Sequence, residues 1–212
     1  MYLSNPKRVQ KVLFYLASRP WDIPYYFLYS LRKCSPLEVA RPWWSLPAIK
    51  YVSQKISANS RVFEWGSGGS TLFLGQTFKH ITSIEHDATW LRMVKTKLEE
   101  NQLTNVNLIQ PEIDLTSQNS FEQSEYLHTL DQSFDLIVID GEDHFGPGSS
   151  WSARVSCFDR AESFISKGGC ILVDDSWRYP EIRDRSNAKD IKILEGIGPC
   201  RKGVTSTDLH LY

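Results

Sequence analysis

The chain has 212 residues, enough for one α/β domain with an appendage and a sizeable buried core. With 24 Lys+Arg against 25 Asp+Glu and a formal net charge of −1, the charges nearly balance and do not call for a polyanion as obligatory partner. Four scattered cysteines (Cys34, Cys157, Cys170, Cys200) without a Cys-x-x-Cys pair fit reduced thiols in a cytoplasmic protein better than a disulfide framework or a zinc site.

Residues 1–60 form an aromatic-rich helical segment, punctuated by Pro20, Pro24, Pro36, Pro42 and Pro47. The pattern predicts helices over 6–18, 22–33 and 46–57, lying across a sheet edge or over a cleft. The apolar run from Val12 to Tyr29 is broken by Arg19, Pro20, Asp22 and Pro24, so it is not read as a membrane span. A second unit, 61–212, alternates strands at 61–65, 80–85, 105–109, 134–140 and 169–174 with helices at 70–78, 87–101, 151–166 and 180–193. Asp87 is an N-cap candidate for the helix that starts at Ala88. A polar stretch from Pro111 to Ser133 predicts a short surface helix, and 203–212 a last, edge-proximal strand. This alternation argues for a doubly wound, mostly parallel sheet.

The richest motif is Glu64-Trp-Gly-Ser-Gly-Gly-Ser-Thr71, in which a strand ends in a glycine turn and a helix opens at Ser70. Such a turn lets the backbone approach a nucleotide-like ligand. The Glu64 carboxylate would repel a pyrophosphate held at the helix N-terminus but would suit a ligand carrying an ammonium group. Glu85, 19 residues past Gly66, ends the second strand, where a carboxylate can accept both ribose hydroxyls. The fourth strand ends in Asp140-Gly141, which sets a carboxylate at the mouth of the cleft. The fifth ends in Asp174-Asp175, a pair that is costly near a core unless a cation or donors compensate it. Alternatively one of that pair caps the following turn and the other faces water. In the loop 141–150, His144 is a general-base candidate or a solvated histidine, and Gly146 and Gly148 make a lid plausible. Trp21, Tyr25, Tyr26, Trp43 and Trp44 would line an acceptor pocket, pack short helices on the sheet, or form a homodimer interface.

These blocks resemble the class I S-adenosylmethionine-dependent methyltransferases, and within them a little-characterised bacterial group sharing Glu-Trp-Gly-Ser-Gly-Gly-Ser-Thr. The resemblance runs from Arg61 to Tyr212 and rests on Glu64-x-Gly66-x-Gly68, Glu85, Phe134-Asp-Leu-Ile-Val-Ile-Asp140 and Lys167-Gly-Gly. It implies a Rossmann-like seven-stranded sheet that binds S-adenosylmethionine. Glu64 would sit near the methionyl ammonium, with Gly66, Ser67, Gly68, Ser70 and Thr71 forming the cofactor loop. Glu85 would take the ribose hydroxyls and His86 lie beside the adenine. Gln110 or Glu112 would mark the adenine amine, and Asp140 the sulfonium and acceptor. A weaker resemblance to metal-dependent O-methyltransferases implies that Asp140, Asp174 and Asp175 hold a divalent cation such as Mg2+. The expected function is methylation of a small molecule at oxygen, with Asp140 and His144 as catalytic groups. The alternative is a non-catalytic S-adenosylmethionine-binding or protein-interaction module on the same fold. A nicotinamide-dependent oxidoreductase would need glycine at position 71, where Thr71 stands. No Asn/Asp-Pro-Pro-aromatic signature of nucleic acid amino methylation follows the fourth strand.

Overall fold

The structure, a computed structural model, describes residues 6–143 and 150–212. An amino-terminal layer holds α1 (Pro6–Ser18), a 3-10 turn (Pro20–Asp22), the single turn α2 (Ile23–Tyr25), a π turn (Tyr26–Ser30) and α3 (Leu46–Lys55). The winding then runs β1 (Arg61–Trp65), α4 (Gly69–Thr77), β2 (His80–Ile84), α5 (Ala88–Glu100) and β3 (Val106–Ile109). Two short helices follow, α6 (Gln118–Glu122) and α7 (Glu125–His128), and then β4 (Phe134–Ile139), α8 (Ala153–Glu162), β5 (Ile165–Asp174), α9 (Glu181–Arg185), β6 (Asp190–Gly198) and β7 (Arg201–Leu211).

The seven strands form one sheet in the order β3-β2-β1-β4-β5-β7-β6. β1 to β5 are parallel, and β7 runs antiparallel between β5 and the edge strand β6. This is the expected class I methyltransferase sheet. Alternation along the central strands builds two cores, because successive side chains leave opposite faces. Phe63, Ile137, Ile139 and Ile171 join Trp65, Tyr126 and Phe158 on one side. Val62, Leu136, Val138 and Leu172 meet Phe73, Leu74, Trp44, Ile49 and Val52 on the other. Trp44, Ala48, Ile49 and Val52 thus belong to the sheet's own core, each large apolar side chain contributing about 1.5–3 kcal/mol.

Two expected helices differ. The element expected over 22–33 is a succession of short turns, because Pro20 and Pro24 each remove a backbone donor and Pro24 limits what precedes it. The helix expected over 180–193 ends at Arg185, and Asp190–Gly198 is a strand pairing with β7 along its length. Gly196 and Gly198 favour this outcome: a Cβ at Gly196 would lie 2.6 Å from Pro47, and one at Gly198 2.6 Å from the Trp44 carbonyl. Among the described residues no helix is long and apolar enough to cross a membrane.

Candidate functional site

The strand order reverses between β1 and β4, so the loops after these strands open a crevice at their carboxyl ends. There the two turns touch. Gly66 has φ +87°, and a Cβ on it would fall 2.4 Å from the Gly141 Cα and 2.7 Å from the Asp140 carbonyl oxygen. Only glycine satisfies both the left-handed backbone and the contact. Gly69, the first residue of α4, meets a different neighbour: its Cβ would lie 2.3 Å from the Arg41 carbonyl oxygen and 2.4 Å from that of Pro36. The amino-terminal layer therefore crosses directly over the glycine turn.

Thr71 organises the turn from beneath. Its Oγ1 accepts from the Gly68 N–H (2.9 Å) and donates to Glu64 Oε2 (2.6 Å), which also accepts from Ser83 Oγ (2.6 Å). Glu64 is fully buried, and its Oε1 has no hydrogen-bond partner. Burial pushes its carboxyl up to about 7, against partial relief from the Ser70, Ser83 and Thr71 hydroxyls. Ser70 is buried next to Thr71 in the first turn of α4.

The Glu85 carboxylate ties the end of β2 to the same turn. Its Oε2 accepts from the Ser67 N–H (3.2 Å) and Oγ (3.1 Å), and its Oε1 accepts from the Asp87 N–H (3.0 Å) and faces His86 Nδ1 at 3.2 Å. Burial alone would raise Glu85, but the His86, Asp87 and Ser67 hydrogen bonds outweigh it and hold the carboxyl below its ordinary range. The hydrogen bond to Glu85 in turn raises the His86 imidazole. Trp90, in the first turn of α5, donates Nε1 to the Ser67 carbonyl (2.8 Å) and lines the open side of Gly68. Asp87 caps that helix, accepting from the Trp90 N–H. Gln110 and Glu112 are exposed, and Gln110 donates to the His86 carbonyl at 3.5 Å.

On the far wall, Asp140 is held from two sides. Trp44 Nε1 donates to its Oδ2 (3.2 Å), and Arg154 Nη2 lies 3.4 Å from its Oδ1. Arg154 also donates Nε to the Gly141 carbonyl (2.9 Å) and Nη1 to the Asp174 carbonyl (3.1 Å), joining the ends of β4 and β5. Burial raises the Asp140 carboxyl, opposed by Arg154; the 19% of its side chain left exposed tempers that rise. Asp174 is buried and also shifted up, first by desolvation and then by Asp140, and it accepts from Thr207 Oγ1 at 2.8 Å. Asp175, in the left-handed region at φ 49°, accepts from Arg201 Nη1 (2.7 Å) and Thr205 Oγ1 (2.8 Å). Burial would raise Asp175 too, but Arg201 and Thr205 hold it low.

The three carboxylates expected to share a cation are each taken up by protein donors instead. Among the described residues no group of three or more His, Cys, Asp or Glu side chains could hold a metal ion. Thr207 donates to one oxygen of Asp174, Trp44 and Arg154 meet the two oxygens of Asp140, and Arg201 and Thr205 share one oxygen of Asp175, so a cation common to the three would have to displace some of these contacts. His144 lies outside the described residues.

Of the aromatic candidates, Trp44 reaches the crevice, where it is fully buried edge-to-face on Phe73. Trp43 is exposed under the Arg201 guanidinium, Tyr26 donates to the Lys202 carbonyl, Tyr25 stacks near Tyr29, and Trp21 faces solvent. Sequence reasoning missed Trp90, Arg201, Tyr126 and Asp143. Tyr126 is fully buried with an unpartnered hydroxyl against Gly141, and Asp143 accepts from Ser152 Oγ, the Ala153 N–H and Tyr179 Oη. No periodicity marks such residues; their partners come from other elements.

Residues 63–176 match a family described as Methyltransferase domain. The fold is similar to that of an O-methyltransferase from Bacillus cereus in complex with SAH: 15% identity, TM-score 0.63, 94% of this chain and 99% of that one covered. A methyltransferase-like protein from Silicibacter pomeroyi matches at 21% identity and TM-score 0.53, over 77% of this chain and 84% of that one. An rRNA methylase from Streptococcus thermophilus matches at 13% identity and TM-score 0.55, over 78% and 94%. At these identities the likeness is one of fold. No curated protein matches the sequence.

Proposed function

This chain belongs to the methyltransferase-domain family and is an S-adenosylmethionine-dependent methyltransferase, and from that premise we propose that it methylates a small molecule at oxygen. We place the cofactor along Glu64, Gly66, Ser67, Gly68, Ser70, Thr71, Glu85 and His86, as in the bacterial group sharing Glu-Trp-Gly-Ser-Gly-Gly-Ser-Thr. Two buried polar atoms without partners, Glu64 Oε1 and the Tyr126 hydroxyl beside Gly141, support this fit. The Glu85 carboxylate already accepts four contacts, so ribose hydroxyls would replace those from Ser67 Oγ or His86.

When bound, the cofactor supplies an electrophilic methyl group on a sulfonium. The protein's part is to orient an acceptor oxygen toward it and take the hydroxyl proton. Asp140 is our acceptor-side base. Trp44 and Arg154 fix its carboxylate in position, and its raised proton affinity brings it nearer to what a general base requires. His144 is a second candidate base. Residues 1–60 are the cover and 61–212 the cofactor-binding unit, with Trp44 carrying the cover into the crevice.

The single observation that carries this reading is Asp140, held between Trp44 and Arg154 at the strand-order switch. The test is release of demethylated cofactor on a panel of small hydroxylated acceptors, with RNA and protein as comparison substrates. Turnover on a small hydroxyl compound that falls about 10²–10⁴-fold in Asp140→Asn at saturating S-adenosylmethionine, with cofactor affinity in calorimetry weakened far less than turnover, is the expected result. Turnover confined to RNA or protein refutes the acceptor class, and unchanged turnover in Asp140→Asn refutes the role of Asp140.

A further inference from the structure

Residues 1–33 carry six basic side chains (Lys7, Arg8, Lys11, Arg19, Arg32, Lys33) and one acidic, Asp22, for a net charge of +5. Residues 34–212 therefore carry −6, so a near-neutral chain is strongly polarised. The single acid of that segment is buried, where Tyr15 Oη and Lys50 Nζ donate to it, and contributes little outward. The same segment concentrates exposed apolar surface. Of ten large hydrophobic residues exposed among the described residues, six (Leu13, Phe14, Trp21, Ile23, Phe27 and Leu28) lie within sixteen positions. Phe14 is 79% exposed, Trp21 69% and Phe27 62%. α1 buries Val12 and Tyr15 beside Ile197 of β6 and leaves Leu13 and Phe14 outward, with Lys7, Lys11 and Phe14 at the i, i+4, i+7 spacing of one helix face. Exposed apolar side chains concentrated in one short segment, unlike ones scattered singly, mark an interaction site.

We propose that this amino-terminal face docks on the surface of an anionic lipid bilayer. Aromatic and leucine side chains on short turns enter the headgroup–acyl boundary, and the flanking Lys and Arg side chains meet anionic headgroups. Charge selects this occupant. A second copy seated face to face would bring +5 against +5, whereas an anionic bilayer complements both the charge and the apolar residues. Docking here is peripheral and spans nothing. It does not depend on the identity of the methyl acceptor.

The test is co-sedimentation of the full chain with vesicles of phosphatidylcholine alone or with phosphatidylglycerol added, at low and at 0.5 M salt (a ~3–5 Å Debye length). Binding at least about tenfold tighter to the anionic vesicles, largely lost at high salt, is expected. Lys7→Glu/Lys11→Glu and Trp21→Ala/Phe27→Ala should each weaken it about tenfold while leaving cofactor binding in calorimetry unchanged; Phe14→Ser replaces the second pair if that variant does not fold. Absence of binding to anionic vesicles overturns the proposal, and so does binding indifferent to both variants. A dimer in sedimentation that Trp21→Ala/Phe27→Ala dissociates, without vesicle binding, overturns it in favour of self-association.

Discussion

Glu64, which we place at the cofactor, also holds the turn together from inside the fold. Its Oε2 anchors Thr71 and Ser83, and Thr71 relays that anchor to the Gly68 N–H. Threonine in place of a third glycine is therefore a hydroxyl relay rather than a defect in a dinucleotide motif. The folded-state carboxyl sits at about 7, above the ordinary 4.5, so the folded chain binds more protons than the unfolded one between these values. Stability from this group is present below about 4.5 and lost as pH rises toward 7, by roughly 3 kcal/mol at most. His210 works in the opposite direction. Burial lowers it to about 4, so its contribution is lost as pH falls below 6.5. The difference between wild type and Glu64→Gln isolates the first effect: thermal melts from pH 5 to 7.5 should show a destabilising slope in wild type that is flattened in the variant. Parallel slopes would refute the burial argument. Gly66→Ala should cost more than 2 kcal/mol and abolish cofactor binding, since a Cβ meets Gly141 at 2.4 Å on a left-handed backbone; denaturant melts and calorimetry check both.

At the scale of elements, the β6–β7 hairpin and the amino-terminal layer hold each other. Ser30 Oγ donates to the Gly198 carbonyl, the Ser45 N–H to Thr207 Oγ1, and the Cys200 N–H to the Tyr29 carbonyl. This packing brings the Cys34 and Cys200 thiols to 3.3 Å, although 166 residues separate them. Diamide should therefore oxidise the pair to a disulfide with loss of two hydrogens, and the closed loop should raise the unfolding midpoint by up to about 5 kcal/mol in stability. Non-reducing peptide mass spectrometry checks the link, with Cys200→Ser as the control that must not form it. None of this was legible in the sequence, where the four cysteines are scattered and the first residues of β6, up to Ile193, read as the end of a helix over 180–193. The five strands of the parallel half were legible, because buried strands are apolar runs bounded by turn residues, as Phe134–Ile139 shows. A strand such as β6, half exposed at a sheet edge, owes its conformation to its partner more than to its own pattern.

Over the whole molecule, the crevice is a balance of buried charge. Arg154 reaches three atoms from the ends of β4 and β5, and its loss leaves the raised Asp140 carboxylate without its guanidinium, beside the raised Asp174. Arg154→Met should destabilise the protein by about 3–5 kcal/mol at pH 7.5. The loss should shrink near pH 5, where Asp140 and Asp174 take up protons; denaturant melts at both pH values decide it, and a pH-independent loss would refute the charge argument. Binding of a cationic cofactor favours the ionised forms of these same two groups. S-adenosylmethionine affinity should consequently rise with pH through the neutral range and then level, with proton release measurable by calorimetry in buffers of different ionisation enthalpy. An affinity flat from pH 5.5 to 8 would count against the proposed placement of the cofactor.

The sequence by itself determined the alternation of strands and helices from β1 to β5, the glycine turn after β1 and the acidic ends of β1, β2, β4 and β5, because strand periodicity, turn chemistry and motif spacing are local properties. Only the tertiary structure decided which donors those acids meet: Thr71 and Ser83 for Glu64, Trp44 and Arg154 for Asp140, Thr207 for Asp174, Arg201 for Asp175. Those partners come from elements remote in the chain. Whether a buried carboxylate binds a cation, holds a proton or pairs with a guanidinium depends on what the packing brings within 3–4 Å of it.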